Sequence, residues 1–273
     1  MTTKCLALWS VRNHLAADLE GTIAKVAALG FEGVEPLCHA GKSVPLPPPI
    51  GPMIDAAPVV DPHHLRRVLD DHGLVVTSAH TFLPEGAYAD AVLDEQEVLG
   101  NQLLVLTAPF FVPGFDLEAI TTSDGVKRLA DRINAAVEVT AARGMRIGYH
   151  NHTWEMETTI EGRTAYDLLF SMLDPAVFAE VDLYWATLGG ADPTAVIESL
   201  DARTLLLHLK DGPAEPGLPQ TPLGTGTVDL RSALRAATHA VAHIVELDDA
   251  EGDAFDVVAA GLRYLRDEGT VEV

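Results

Sequence analysis

The sequence predicts an α/β protein, a single (β/α)8 barrel domain over residues 1–273, from three observations. Eight short apolar runs alternate with eight helical patterns, which implies right-handed parallel crossovers. The length of 273 residues suits a closed barrel, typically roughly 250 residues, and no second block of strands marks another domain. A doubly wound sheet would carry a glycine-rich phosphate loop after its first strand, whereas the stretch LALWSVRNH at 6–14 has no glycine.

Strand 1 is expected at 4–9, followed by a helix at 15–29 that Gly30 closes, where a left-handed cap favours glycine. FEGVEPL supplies strand 2, ending in Glu35 and stopped by Pro36. Residues 41–60 are proline-rich, too long for an ordinary turn and too stiff for a random linker; they read as a loop over the mouth of a site or as a surface insertion. Asp61-Pro62 starts a helix by the capping rule, with His63 and His64 exposed in its first turn, and Gly73 ends it. LVVTSAH is strand 3, ending in His80, and a helix at 89–99 stops at Gly100. QLLVLTAP is strand 4, followed by a helix at 123–143. Strand 5 lies in MRIGYHNHTWEM at 145–156, and a helix at 164–173 follows. FAEVD is strand 6, Asp192-Pro193 caps a helix to 200, and TLLLHLKD is strand 7. The Gly224-Thr225-Gly226 stretch reads as a turn rather than a phosphate cradle. A helix at 230–239, strand 8 in HIVELDD and a last helix at 254–266 complete the series.

The strand ends carry the chemistry. Side chains alternate along a strand, so Gly148, His150 and His152 share one face, and two imidazoles stand together at the carboxyl end of strand 5. Strand 6 ends in Asp182, strand 7 in His208, Lys210 and Asp211, and strand 8 in Glu246 and Asp248. In a barrel these ends converge on one mouth, together with Glu35 and His80. Mixed carboxylate and imidazole groups suit one divalent ion, with oxygen-rich shells leaning to harder metals: Mn²⁺ is favoured, and Mg²⁺, Co²⁺ and Zn²⁺ are compatible. A rim of salt bridges without metal is the bland alternative. Trp9, Trp154 and Trp185 lie at or just beyond strand ends, placed to close a pocket with their aromatic faces or to pack against loops.

Eighteen Lys and Arg against forty Asp and Glu give a formal charge of −22. A surface that acidic repels phosphate backbones and anionic lipid, so nucleic-acid and membrane partners are not expected. Cys5 and Cys38 belong to no CxxC or Cys/His cluster and are expected to be free, packed thiols. The sequence shows neither a signal-peptide pattern nor an apolar run of membrane-span length, so a cytoplasmic location is expected. Nothing in the sequence excludes a homo-oligomer.

The strings ALGFEGVEP, YHNHTWEM, EVDLYWATLGGADP, LLHLKDG, PLGTGTVDL and IVELDD, in that order, resemble the xylose isomerase-like barrel superfamily, the sugar phosphate isomerase/epimerase group. That group also includes hydroxypyruvate isomerases, ketose 3-epimerases, inosose dehydratases and endonuclease IV-type nucleases. The resemblance covers most of the chain and is not specific for one reaction. It implies a metal held by a Glu after strand 5, an Asp after strand 6, a His after strand 7 and a Glu after strand 8. Asp182, His208 and Glu246 match the last three positions. The first departs from the pattern, since His150 stands where the family has Glu; Glu155 is the nearest carboxylate and the favoured fourth ligand, with His150 as the alternative.

The resemblance further implies a small sugar or polyol-derived substrate and metal-assisted proton abstraction next to a carbonyl, through an enediolate. His152 and His150 are then the proton-transfer groups, with Lys210 supporting a substrate oxygen and Glu35, His80, Trp9 and Trp185 contacting substrate. An isomerase or epimerase is the first reading. The His-Asn-His ending also resembles inosose dehydratases and enzymes that eliminate from 3-keto sugars, which makes a lyase the alternative, and a non-catalytic sugar-binding protein a further one.

Overall fold

The computed structural model describes residues 2–38 and 58–268. The proline-rich stretch expected at 41–60 therefore lies outside the described residues except for its last three positions.

One sheet of parallel strands forms the centre. Its strands are β1 (Thr3–Ala7), β2 (Gly33–Glu35), β3 (Val75–Val76), β4 (Ala79–His80), β5 (Leu103–Leu106) and β6 (Arg146–His150). After the short antiparallel pair β7 (Thr159–Ile160) and β8 (Arg163–Thr164) come β9 (Phe178–Asp182), β10 (Thr204–Leu209) and β11 (Ala242–Val245). The order β3-β2-β1-β11-β10-β9-β6-β5-β4 brings the first strand beside the last. The third strand position is split: β3 pairs with β2 and β4 pairs with β5, so the two edges of the sheet are halves of one segment and the barrel nearly closes there. Helices cover the outside, as parallel crossovers require.

Local chemistry explains where the elements differ from expectation. The helix expected at 15–29 is two helices, α1 (Arg12–Ala17) and α2 (Leu19–Leu29), because Asp18 leaves helical geometry at φ −156° and its side chain accepts from Gly21 N. Gly30 closes α2 at φ +94°. Asp61 caps the helix Pro62–Asp71 through His64 N. Two short helices had no signal in apolar periodicity, Thr153–Glu157 and Leu183–Leu188, and both begin at strand ends.

The barrel interior is layered. At the bottom Cys5, Ala7, Val105, Phe178, Leu206, Ala242 and Ile244 form an apolar plug. The Phe178 ring takes the space beside Gly148, where a Cβ would lie 2.3 Å from it; glycine is required there by close approach. Both cysteines are free and buried. Among the described residues, no helix is long and apolar enough to cross a membrane.

Candidate metal centre

Two residues above that plug, the same alternation brings in charge. Phe178 is followed on its face by Glu180 and Asp182, Gly148 by His150, Leu206 by His208, Ile244 by Glu246 and Gly33 by Glu35, with His80 arriving from β4. All seven polar side chains are buried. Such a layer is tolerated only when its charges meet partners, and they do. His208 Nδ1 is 2.8 Å from Glu246 Oε2 and its Nε2 is 2.6 Å from Glu35 Oε2. His80 Nε2 is 3.0 Å from Glu180 Oε2 and 3.1 Å from Glu35 Oε2, while Ser78 Oγ donates to Glu35 Oε1. Lys210 Nζ lies within 3.0 Å of Asp182, Glu246 and Asp248.

Asn151 explains the middle of the His-Asn-His sequence. Its amide donates to Asp182 O at 3.1 Å and accepts from Asp182 N at 2.9 Å, so it ties the ends of β6 and β9 together. Asp182 also caps the helix Leu183–Leu188, its Oδ1 accepting from Trp185 N at 2.8 Å. That leaves Oδ2 for the interior.

Burial alone would drive every one of these groups towards its neutral form. It does so for His150, held well below the usual imidazole range by burial and then by His208, and for Glu180, raised to about 7 by burial and the Glu35 charge. Asp182 is raised by burial as well, against the pull of Lys210. At His80 the burial effect is outweighed by Glu35 and Glu180, which raise it to about 10, and His208 is likewise raised by Glu180, Glu35 and Glu246. Burial opposes ionisation of Glu246, yet Lys210 and His208 hold it below the ordinary carboxylate range. The cluster as a whole attracts positive charge.

Two overlapping donor sets fit a metal ion among the described residues: Asp182, His208 and Glu246, and His80, His150, Glu180 and His208, with the donor atoms of each set within 4.8 Å of one another. Glu180 Oε1, Asp182 Oδ2 and His152 Nδ1 are buried without a hydrogen-bond partner. Orphaned carboxylate oxygens beside imidazoles are what a divalent cation satisfies.

His152 stands higher, at the mouth. Its ring stacks on Trp154 at 4.7 Å between centroids and faces Trp185 at 5.9 Å. Burial, with the Lys210 charge second, lowers its pKa to about 4. Lys210 Nζ sits 5.1 Å from the Trp185 ring. A cavity opens beside these groups, lined among others by Trp9, Phe110, Phe111, His152, Trp154 and Asp248 and floored by Glu35, His80, His150 and Glu246.

Asp182, His208, Glu246, Lys210, His150 and His152 are thus brought together. Glu35 and His80, expected to contact substrate, belong to the buried ion-paired layer at the cavity floor. Trp9 lines the cavity, whereas Trp185 packs on His152 and Lys210. Glu155, the favoured fourth ligand in the sequence, is not brought to either donor set. Its Oε1 accepts from Tyr149 OH at 2.7 Å and its Oε2 from His152 N at 2.9 Å, closing the first turn of the helix Thr153–Glu157. Glu180 was missed by reading only the strand ends, although it lies on the same face as Asp182. The Gly224–Gly226 turn is structural: the amides of Gly224 and Gly226 donate to Asp211 Oδ2.

The chain matches the family model described as xylose isomerase-like TIM barrel over residues 23–268. No curated protein matches it. It is similar to the solved structure of a sugar phosphate isomerase/epimerase from Parabacteroides distasonis ATCC 8503, with 22% identity and a TM-score of 0.78, over 99% of this chain and 95% of that one. An L-ribulose 3-epimerase is similar at 16% identity and a TM-score of 0.68, over 98% and 94% of the two chains. A probable 3-DHS dehydratase from Bacillus anthracis is similar at 16% identity and a TM-score of 0.67, over 97% and 99%. At these identities the likeness is one of fold.

Proposed function

Because this chain belongs to the xylose isomerase-like TIM barrel family, we propose that it is a divalent-metal-dependent isomerase or epimerase acting on a small sugar or polyol-derived substrate. The observation that carries this reading is the convergence of Asp182, His208 and Glu246 donor atoms within 4.8 Å near an imidazole, His152, that stacks on the Trp154 ring and packs near Trp185.

Asp182, His208 and Glu246 would hold the ion, with Mn²⁺ favoured by the carboxylate-rich set. When bound, it supplies polarisation of a substrate carbonyl and its neighbouring hydroxyl. The protein's own part is proton transfer and placement. His152 is kept neutral by burial and by Lys210, so at neutral pH it is free to take the proton next to the carbonyl and return it. Stacking on Trp154 holds the ring plane, which matters because a misplaced base loses most of its effect. Lys210, held by three carboxylates, stands behind the cavity lining rather than in it and acts at one remove, its fixed positive charge favouring negative charge that grows on substrate oxygen. Trp9, Phe110 and Phe111 give the cavity apolar walls for sugar carbons.

A lyase is the second reading, and one observation favours it. One imidazole at the mouth, His152, and a fixed ammonium, Lys210, held by three carboxylates, both pack against the Trp185 ring; one base with one fixed charge for the developing enolate suits proton abstraction followed by expulsion of a β-substituent.

Incubating Mn²⁺-loaded protein with ketoses, inososes and 3-keto glycosides in D₂O, followed by NMR, tests both. Deuterium next to the carbonyl of recovered sugar or its epimer supports the first reading, and loss of a β-substituent supports the second. Bound metal without exchange into any substrate class would leave a sugar-binding role and sink both.

A further inference from the structure

We propose that His150 fills the fourth metal-ligand position, the one at the end of β6, and that Glu180 is the residue that aims it. The inference rests on the reading of Asp182, His208 and Glu246 as metal ligands and goes beyond it, because the carboxylate expected after β6 is replaced and its substitute is oriented from another strand.

The argument begins with the imidazole's two nitrogens. His150 Nδ1 is 3.0 Å from Glu180 Oε2, a hydrogen bond between buried groups. A neutral imidazole that donates from Nδ1 carries its lone pair on Nε2. That Nε2 faces Asp182 Oδ2 at 3.7 Å, too long for a hydrogen bond. Asp182 Oδ1 is already held by Trp185 N, and Oδ2 has no hydrogen-bond partner. Lys210 Nζ pairs with Oδ2 from one side at 3.0 Å and also donates to Asp248 Oδ2 at 2.7 Å. On the side facing His150, an imidazole lone pair and a carboxylate lone pair therefore face one another inside the barrel, a contact that a metal ion between them would relieve. Metal bonds of about 2.1 Å place neighbouring ligand atoms roughly 3.0 to 3.6 Å apart, close to the observed separation.

Glu155 is occupied elsewhere. Turning it to the ion would strip Tyr149 OH and the His152 amide of their acceptor, and Tyr149 is fully buried. Glu180 meets the description of a positioning residue: it lies one side-chain step below Asp182 on β9, and its carboxylate spans His150 and His80, its Oε2 lying 3.0 Å from each. Carboxylates behind metal-bound imidazoles do this work widely, fixing tautomer and ring orientation.

The test uses the full chain and Mn²⁺ alone, with affinity from calorimetry and imidazole count from ¹⁴N couplings in pulsed EPR. The parent should show two coordinated imidazoles, and His150→Ala should show one and bind Mn²⁺ at least about 100-fold more weakly. Glu155→Gln should keep both imidazoles and bind within about threefold of the parent. Glu180→Gln still accepts from Nδ1 and should keep two imidazoles with affinity within about tenfold, whereas Glu180→Leu should lose the His150 coupling. Equal, severe loss in Glu180→Gln and Glu180→Leu would make Glu180 itself the ligand and overturn the assignment, as would one imidazole in the parent. If Asp182→Asn and His208→Ala bind Mn²⁺ as the parent does, the underlying metal reading fails; if those two lose it while His150→Ala does not, only this inference fails.

Discussion

The phenol of Tyr149 and the carboxylate of Glu155 meet at 2.7 Å with both side chains fully buried, on the opposite face of β6 from His150. Removing the carboxylate by Glu155→Ala leaves a buried hydroxyl and a helix-start amide unpaired, a cost of about 2 to 4 kcal/mol at about 1 to 2 kcal/mol each. Glu155→Gln retains an acceptor for the His152 amide and a donor for the phenol oxygen. Urea unfolding should therefore place Glu155→Ala well below the parent and Glu155→Gln within about 1 kcal/mol of it. Equal loss in both would mean that the charge itself matters there.

His152→Gln should leave Mn²⁺ content unchanged while deuterium exchange into substrate falls by at least about tenfold, since general-base catalysis contributes about 10² to 10⁴. Normal exchange with weakened metal binding would make His152 a support for the ligands rather than the base.

Asp211 accepts four backbone amides, from Gly212, Gly224, Gly226 and Val228, at 2.8, 2.8, 2.9 and 3.2 Å. A Cβ on Gly226 would lie 2.2 Å from Asp211 Oδ1 and 2.2 Å from Gly212 N. Gly226→Ala should destabilise the protein by about 1 to 3 kcal/mol, the usual range for overpacking. A thermal midpoint unchanged from the parent would show that the 212–229 segment can shift aside freely.

His243 on β11 is kept neutral by burial and, second, by Lys4, with its pKa lowered from 6.5 to about 4. The unfolded chain takes up a proton there at higher pH than the folded one, so stability is intact above about 6.5 and is lost as pH falls from about 6.5 to about 4. The loss is on the order of 3 kcal/mol at 1.36 kcal/mol per pKa unit. His243→Leu removes that dependence, so its stability relative to the parent should rise between pH 7 and 4.5. A pH-independent difference would show that His243 titrates normally in the fold.

No lysine or arginine lines the described part of the cavity, whereas Glu35, Glu246 and Asp248 do. Lys210 is shared by three carboxylates, and Arg12 donates to Trp9 O and Asp248 O. A phosphate group would meet repulsion there. Unphosphorylated sugars should exchange faster than their phosphates, and about 10 mM inorganic phosphate should not inhibit, a range typical of weak ion binding. Preference for the phosphorylated member of a pair would contradict this.

Period-two alternation in the sequence was sufficient to bring Asp182, His208, Lys210 and Glu246 to one mouth, because in a barrel every strand end arrives at the same rim. Caps were equally legible: Gly30 at φ +94° and Gly100 at φ +69° end their helices where expected, since a residue without Cβ takes that geometry at little cost. The two carboxylates nearest the site show where sequence ran out. Glu155, three residues from His152, was drawn away by Tyr149, whose hydroxyl needs an acceptor once it is buried. Glu180 carries the same alternation signal as Asp182, but a carboxylate one layer down is stable only if hydrogen-bond donors meet it. Those partners, His80 and His150, lie 100 and 30 residues away and come into reach only when the sheet closes. Periodicity determines which way a side chain points; which partner it finds, and hence whether it is left for a ligand, depends on desolvation balanced by contacts that tertiary packing alone creates.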